Sequence, residues 1–326
     1  MPATIVWLLL CFIATAIGTW LSIRYALHRR LLDQPGARRS HQIATPRGGG
    51  IAIVATLLLA SLFLLWSGTG PRTTFASFAL GLLLVAGVGW WDDHQPLSPR
   101  LRLAVQGAAA ALLAWGFHAD GGSSWQALVA FSSVLVLVNV WNFMDGINGL
   151  AVSQAGLVAL AFVGFAPDGW SWLALALVAA CCGFLPFNFP HARIFLGDVG
   201  SGGLGFVLAA LLASTAAADR LDWWLLFLPL AAFLVDAGFT LLCRILRGVK
   251  WWEPHVEHAY QRAAQANGHS RVTLGYGAFT LLGLTFTLLS RWAIMPYIPL
   301  LALALLGGGV FGWLRLRKGV RCFGKE

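Results

Sequence analysis

Long apolar runs, rather than an amphipathic period, dominate the pattern of hydrophobic and polar positions along the chain. Each run is about 15 to 21 residues long, and a helix that spans a membrane needs about 20 mostly apolar residues. The pattern therefore predicts an all-α fold, a polytopic transmembrane helical bundle of about eleven spans. The runs cover 3–23, 48–66, 75–91, 103–117, 125–141, 149–166, 170–186, 202–218, 223–243, 274–290 and 296–314.

The overall composition supports a membrane protein. Hydrophobic residues make up 58% of the chain and charged residues 11%, whereas a soluble domain carries about 25% charged residues. A large soluble protein with a rich core is excluded, because the apolar residues come in blocks. The residues between the runs are too few and too scattered to fold a separate soluble domain. We therefore expect a single integral-membrane domain over residues 1–326.

The distribution of basic residues predicts an orientation. If the N-terminus lies outside and the runs alternate in direction, 19 of the 22 Lys and Arg residues fall in the inside loops and the C-terminal tail. The outside holds Arg72, Arg220 and Arg291. This is the bias of the positive-inside rule, and it predicts a cytoplasmic C-terminus. The predicted cytoplasmic loops are 24–47, 92–102, 142–148, 187–201 and 244–273.

The unusual polar clusters all lie in the predicted cytoplasmic loops, and the outside loops are short connectors. A channel or transporter needs polar groups at mid-membrane depth along a pathway, and beyond Asp236 the runs hold few. The pattern favours an enzyme that works at the cytoplasmic surface. A lipid-linked transporter and a membrane phosphatase remain the alternatives.

Two adjacent carboxylates, Asp92 and Asp93, follow the third run. Neighbouring acids at a membrane boundary repel each other and lose hydration. A bound cation or a cationic group of a substrate would relieve both effects. The alternative interpretation is a pair of solvated acids at the end of a helix.

Oxygen-bearing side chains recur at every third position from the end of the fifth run into the loop that follows it. On a helix this spacing places neighbours on nearly one face, and the glycines at 146 and 149 predict that the helix ends within the series. Four such side chains beside a membrane suit a hard cation or a nucleotide, although a polar helix cap would also explain them. The residues are Asn139, Asn142, Asp145 and Asn148.

A glycine-rich segment precedes the eighth run. Glycine-rich backbone before a helix N-terminus exposes N–H groups that suit phosphate. Asp198 within the segment would suit a metal beside that phosphate, and Arg193 precedes it. Close packing of small residues would explain the glycines but not Asp198.

Basic residues form two further clusters, and one acid lies apart from both. In the loop 244–273, His255, His258 and Arg262 suit a diphosphate better than zinc, because no third soft ligand is evident. In the first loop, Arg47 immediately precedes three glycines. Asp236 lies inside the ninth run, where it either serves function or pairs with a neighbouring helix.

In this order, the clusters resemble the motifs of the polyprenyl-phosphate N-acetylhexosamine-1-phosphate transferases. This family is of the glycosyltransferase family 4 type, includes the enzymes that initiate O-antigen and common antigen, and is related to phospho-N-acetylmuramoyl-pentapeptide transferase. The resemblance extends from about Asp33 to Arg262 and rests on three motifs: the acid pair 92–93, residues 139–150 and residues 195–201. It implies ten or eleven spans and an active site facing the cytoplasm.

The resemblance also implies roles for individual residues. Asn142 and Asp198 match positions that coordinate Mg²⁺, with Mn²⁺ as an alternative ion. Asp92 and Asp93 match an essential acid pair, and we group Asp145 with them as catalytic. The expected substrate-binding residues are Arg47, Asn139, Asn148 (near the uracil ring), Arg193, Asp236, His255, His258 and Arg262.

The implied activity is transfer of an N-acetylhexosamine 1-phosphate from a UDP-sugar to undecaprenyl phosphate, with release of UMP. The expected role is the initiating step of O-antigen or a related envelope polysaccharide, at the bacterial inner membrane. The expected partners are these two substrates, membrane lipid and a second copy in a homodimer, and not nucleic acid. Phospho-N-acetylmuramoyl-pentapeptide transferase is the alternative activity. The absence of that enzyme's triple-histidine loop, where this chain has 255–258, argues against it.

Overall fold

The computed structural model describes residues 2–34, 44–216, 223–250, 255–292 and 297–317, and these fold almost entirely as helices. A two-residue β1 (Leu32–Asp33) pairs antiparallel with β2 (Thr45–Pro46). A short 3₁₀ helix covers Trp223–Phe227. The α-helices are α1 Pro2–Arg29, α2 Ile51–Trp66, α3 Arg72–His94, α4 Pro99–Ala119, α5 Ser124–Met144, α6 Leu150–Phe165, α7 Trp170–Asn188, α8 Gly197–Thr215, α9 Ala231–Leu246, α10 Ala259–Asn267, α11 His269–Trp292 and α12 Ile298–Leu316.

The prediction of an all-α polytopic membrane bundle is confirmed. Seven of the described helices are long and apolar enough to cross a membrane, and α2 and α6 are shorter apolar helices of 16 residues. Each of the eleven predicted runs overlaps a helix of the structure. The parts of the first and last cytoplasmic loops at 35–43 and 251–254 lie outside the described residues.

Several helices extend into the predicted loops, and two predicted segments differ in the elements that they contain. The ninth run, 223–243, is not one helix: a 3₁₀ turn ends at Phe227 and α9 begins at Ala231. Pro229 lies between them, and proline cannot donate the backbone hydrogen bond that would continue the turn. In addition, α10 lies within the predicted loop 244–273, because a nine-residue polar helix leaves no long apolar run.

The centre of the bundle is α8, which packs against α2, α3, α5, α6 and α7. Every residue from Val199 to Thr215 is buried. Small residues permit this, because a Cβ added at Gly205 would lie 2.4 Å from the carbonyl oxygen of Leu137 on α5. Close approach of helix backbones at glycine is the usual way in which membrane helices pack. The first turn of α8 therefore lies among the ends of the helices that carry the predicted site residues.

Candidate active site

The N-terminus of α8 is capped by Asp93 from the last turn of α3. The two carboxylate oxygens of Asp93 accept the backbone N–H groups of Asp198, at 3.1 Å, and Val199, at 3.2 Å. Asp93 is 5% exposed, and a carboxylate at the positive end of a helix is a favourable arrangement. The glycine-rich segment was predicted to offer these N–H groups to phosphate as a loop. It is instead the first turn of α8, and Asp93 already occupies two of its donors.

The three glycines after Arg47 lie against the residues that lead into α8. Backbone N–H groups of Gly49 and Gly50 donate to the carbonyl oxygens of Phe195, at 2.9 Å, and Leu196, at 2.8 Å. Arg47 itself donates to the backbone carbonyl of Asp93. The pairing joins the first predicted cytoplasmic loop to the third motif and fixes the backbone around Asp93.

Gly197 is required at the first position of α8. Its φ is +76°, which side chains rarely adopt, and an added Cβ would lie 2.6 Å from Asp93 Oδ2. The same Cβ would lie 2.8 Å from Gly48 Cα. The segment from Arg47 and the start of α8 therefore approach so closely that only hydrogen fits between them.

Arg102, on α4, bonds to two acids that are far apart in sequence, Asp92 and Asp198. Its Nη1 donates to Asp92 Oδ2 at 3.0 Å and to Asp198 Oδ2 at 3.1 Å. We did not predict this residue. Its position in the same predicted loop as Asp92 was the available signal, because α3 and α4 are antiparallel neighbours. Arg102 places a positive charge between two carboxylates, where a cation would also be favoured.

Asn142, at the end of α5, completes this group. Its Nδ2 donates to Asp198 Oδ1 at 2.9 Å and to Ser201 Oγ at 3.3 Å. No group of three or more His, Cys, Asp or Glu suited to a metal occurs among the described residues. The structure instead brings together two carboxylates and an amide, and Mg²⁺ is usually held by one or two carboxylates with water and substrate phosphate completing its shell. The donor set therefore fits the predicted ion.

A small cavity of about 40 Å³ opens beside Asp198, between α3, α4, α5 and α8. Asn139 lines it and donates through Nδ2 to Gln106 Oε1 at 2.8 Å. Arg102 and Asn142 line the same cavity. The predicted Asn139 is therefore one helical turn from Asn142 and in the same cavity.

Asp145 follows the last residue of α5 and remains partly exposed. Burial, and secondarily the charge of Asp93, raise the pKa of Asp145 to about 7. A carboxyl group with a pKa near the working pH can accept or donate a proton. The catalytic role of Asp145 stays a prediction, and Asp93 is committed to the backbone of α8.

Asn148 and Arg193 both bond to the segment that joins α7 to α8. Asn148 donates through Nδ2 to the carbonyl oxygen of Pro190 at 3.0 Å. Arg193 is exposed, donates to the carbonyl oxygen of Pro186 at 3.0 Å and stacks on Phe187. These contacts place both residues at the edge of the site, and their role in binding substrate stays a prediction.

The basic segment approaches the site from α10. His258 lies 6.1 Å from the ring of Phe143, and His255 stacks on His258 at 4.9 Å. Burial, followed by the charge of His258, lowers the pKa of His255 to about 4. His255 is therefore neutral at pH 7 and can offer a hydrogen bond but not a charge. Arg262 is half-buried on α10, and its role in binding the diphosphate stays a prediction.

Asp236 holds α10 in place. Its oxygens accept the N–H groups of Ala259, at 2.8 Å, and Tyr260, at 2.9 Å, and the hydroxyl of Tyr276 at 2.7 Å. Of the two interpretations of Asp236, these contacts support the one in which the acid pairs with a neighbouring helix. A direct contact between Asp236 and substrate stays a prediction.

Tyr260 connects the basic segment to the Asn142 motif, and sequence reasoning missed it. Its hydroxyl donates to the carbonyl oxygen of Phe143 at 2.9 Å, and the side chain is 1% exposed. A Cβ added at Gly146 would lie 2.2 Å from the Tyr260 hydroxyl oxygen. The glycine after Asp145 is therefore also a packing position for α10.

Known proteins share these sequence features. Residues 75–216 match the family model of glycosyl transferase family 4. The decaprenyl-phosphate N-acetylglucosaminephosphotransferase of Mycobacterium tuberculosis is 33% identical over 287 residues, which cover 74% of this chain and 70% of the relative. The chain belongs to glycosyl transferase family 4. The family resemblance expected from the motifs is confirmed.

Two other relatives of this family 4 chain differ in name and coverage. A probable undecaprenyl-phosphate N-acetylglucosaminyl 1-phosphate transferase of Bacillus subtilis is 28% identical and covers 80% of the chain and 76% of its own length. A phospho-N-acetylmuramoyl-pentapeptide-transferase of Thermosynechococcus vestitus is 38% identical over 197 residues. That alignment spans only about half of either protein, 51% of each.

The family match includes the acid pair, Arg102, Asn142 and Asp198 but ends before α9. Asp236, Tyr260 and Arg262 thus lie outside the matched region of this family 4 chain. The matched region holds Asp92, Asp93 and Asp198. The basic segment lies outside it and is joined to it by the hydrogen bond of Tyr260 to Phe143.

Proposed function

We propose that this family 4 protein transfers a sugar 1-phosphate, with an N-acetylhexosamine as the sugar, from a UDP-sugar to a polyprenyl phosphate. One observation carries the proposal: Asp198 bonds to Asn142 and to Arg102, and Arg102 also bonds to Asp92. Hard oxygen donors beside an arginine suit a diphosphate with its cation. Relatives named as N-acetylglucosamine phosphate transferases, aligned over 74% and 80% of the chain, support the sugar.

The reaction needs little covalent chemistry from the protein. An oxygen of the lipid phosphate forms a bond to the β-phosphorus, the bond from that phosphorus to the bridging oxygen breaks, and UMP leaves with the electron pair. A phosphate monoester has its second pKa near about 6, so the acceptor is already largely dianionic at neutral pH. Positioning and neutralisation of charge therefore dominate. Asp93 contributes to positioning because it holds the start of α8. Arg102 contributes to neutralisation because it adds positive charge beside Asp198.

Mg²⁺ is the proposed cofactor, and Asp198, Asp92 and Asn142 would hold it. When bound, the ion neutralises the diphosphate oxygens and favours departure of UMP. Arg262 on α10 and His258 at its N-cap would bind the diphosphate or the sugar, and His258 lies 6.1 Å from the ring of Phe143. Asn148 and Arg193 would contact the nucleoside from the edge of the site.

We propose the cytoplasmic face of a bacterial inner membrane as the location. The 19 basic residues on one side of the predicted topology, against three on the other, support this orientation. Undecaprenyl phosphate is the proposed acceptor, and the initiating step of O-antigen or a related envelope polysaccharide is the proposed role. The pentapeptide transferase activity is the second candidate, because one such relative is 38% identical over half of the chain.

UMP release distinguishes these activities. Purified protein in detergent receives undecaprenyl phosphate, Mg²⁺ and, in turn, UDP-N-acetylglucosamine, UDP-N-acetylgalactosamine, UDP-glucose and UDP-N-acetylmuramoyl-pentapeptide. We expect release of UMP with an N-acetylhexosamine donor, dependent on the acceptor and abolished by EDTA. In sealed vesicles, only inverted ones should accept external donor. Release with the muramoyl donor alone would select the second activity, and release that persists in EDTA would contradict the metal.

The Tyr260→Phe variant tests how the basic segment is positioned. Loss of the hydroxyl removes the hydrogen bond to the part-buried carbonyl of Phe143, which costs about 1 kcal/mol. We expect a lower thermal midpoint and a raised KM for the donor, with kcat nearly kept, because α10, which carries Arg262, loses this link to the end of α5. The matched control is Tyr297→Phe, at a tyrosine that is 69% exposed. Unchanged KM in Tyr260→Phe would show that α10 does not position the donor.

A further inference from the structure

A second, larger cavity lies between α9, α11 and α12, beside the end of α10. Its volume is about 360 Å³ and its lining is mostly apolar, with Asp236, Asn267, Arg271 and Tyr276 as the polar members. Val235 on α9 and Phe279 on α11 form two of its walls. Along the third wall, α12 contributes Gly308 and Gly312, where an added Cβ would meet no atom within 4 Å. The concavity therefore exists because α12 lacks side chains at these positions.

The surroundings of this cavity are those of a surface that faces lipid. Leu300, Leu303 and Leu314 on α12 are all more than half exposed. An empty apolar concavity would lose the dispersion contacts of its lining, and water has few polar partners there. Within a bilayer, hydrocarbon chains are the adjacent material that fills such a space. The chemistry of the lining therefore selects a lipid chain as the occupant.

One end of the cavity carries a positive charge. Arg271, in the first turn of α11, lines this end and is exposed. Within the described ranges, no acid forms an ion pair with it. Asp236 also lines the cavity, but its oxygens are occupied by α10 and Tyr276. Basic pockets between membrane helices at the cytoplasmic side bind acidic lipid head groups.

We propose that this cavity binds one anionic phospholipid, with an acyl chain along α12 and the headgroup phosphate at Arg271. The small cavity beside Asp198 shares no lining residue with it. An acceptor lipid must bring its phosphate to Asp198, so a phospholipid fits the larger cavity better than the acceptor does. Ala263 of α10 also lines this cavity, and the lipid therefore braces the helix that carries Arg262.

Filling the cavity tests the site without reference to activity. The double variant Gly308→Leu/Gly312→Leu puts side chains into the space, and Gly307→Leu is the matched control, because Gly307 is exposed and does not line the cavity. Each protein is extracted from nanodiscs of phosphatidylglycerol and phosphatidylcholine, and bound lipid is counted by native mass spectrometry. We expect about one phosphatidylglycerol per chain in wild type and Gly307→Leu, and at least a tenfold loss in the double variant. Equal retention in all three would overturn the proposal.

The headgroup is tested separately at Arg271. Arg271→Ala should reduce the preference for phosphatidylglycerol over phosphatidylcholine about fivefold, since one basic residue near the surface of an anionic membrane contributes about that factor. Arg315→Ala is the control, because Arg315 is exposed on α12 but does not line the cavity. Equal retention of the two lipids by wild type would overturn the assignment of the headgroup. Displacement of phosphatidylglycerol by equimolar undecaprenyl phosphate would assign the cavity to the acceptor instead.

Discussion

Asp198→Asn is expected to lower kcat by a factor on the order of 10³ while the protein stays folded. The amide keeps the size of the side chain and one oxygen for Asn142, but it removes the negative charge that Arg102 and the proposed cation share. The backbone of α8 keeps its cap, because Asp93 bonds to N–H groups of the main chain. The measurements are UMP release against Mg²⁺ concentration and thermal unfolding in detergent.

A matched control for this variant is Asp168→Asn, at an exposed acid between α6 and α7. It changes the net charge equally and should leave both activity and its Mg²⁺ dependence unchanged. If Asp198→Asn transfers sugar phosphate at the wild-type rate at low Mg²⁺, Asp198 is not a ligand of the ion. The proposed metal position would then be wrong even if the family activity is present.

Asp93→Asn is expected to lower both stability and turnover. Both oxygens of Asp93 accept a backbone N–H group, and an asparagine offers only one oxygen and turns its NH₂ group toward the second donor. A buried unpaired donor costs about 1–3 kcal/mol. The start of α8 then shifts and carries Asp198 with it, so kcat should fall on the order of 10²-fold. Donor binding should be largely kept, because the basic residues that we propose bind it lie on α10 and just before it.

Asp120 provides the control that separates these two effects. Asp120 Oδ2 accepts the N–H group and the hydroxyl of Thr74, each at 2.7 Å, at the opposite end of α3. Asp120 also accepts hydrogen bonds from Thr73, so Asp120→Asn should lower stability as Asp93→Asn does, whereas turnover should stay near wild type because this end of α3 is remote from Asp198. Equal loss of turnover in the two variants would show that Asp93 is not a cap for α8 that the reaction needs.

The spans could be predicted because a membrane sets a minimum length for each apolar run. That length can be read directly from the sequence. The break before α9 needed the observation that Pro229 interrupts a run that is otherwise apolar. The helix α10 left no such signal, because it is short and polar and its stability comes from the contacts of Asp236 and Tyr260. Those contacts join residues that are 23 or more positions apart.

Most residues of the candidate site could be predicted from the sequence, but the contacts between them could not. Motifs drew attention to Asp92, Asn142 and Asp198, and the structure brings them together. Arg102 was missed because an arginine in a positive-inside loop is expected there for reasons of topology alone. The sequence also did not show that Asp93 would hold the backbone of α8. Two adjacent acids cannot be told apart until the structure shows where each side chain points.

The central position of α8 has a consequence for how the protein is made. Seven helices precede α8 in the order of synthesis, yet α8 fills the space among five of them. The nascent bundle must therefore remain open, or be held apart by lipid, until α8 is inserted. The acids at 92–93 gain their partners at 198–199 only then, so a ribosome that stops before residue 197 leaves helices in the membrane without an assembled site. Insertion of this one helix is thus the step at which the acids of α3 and Asp198 come together, before the basic segment is added.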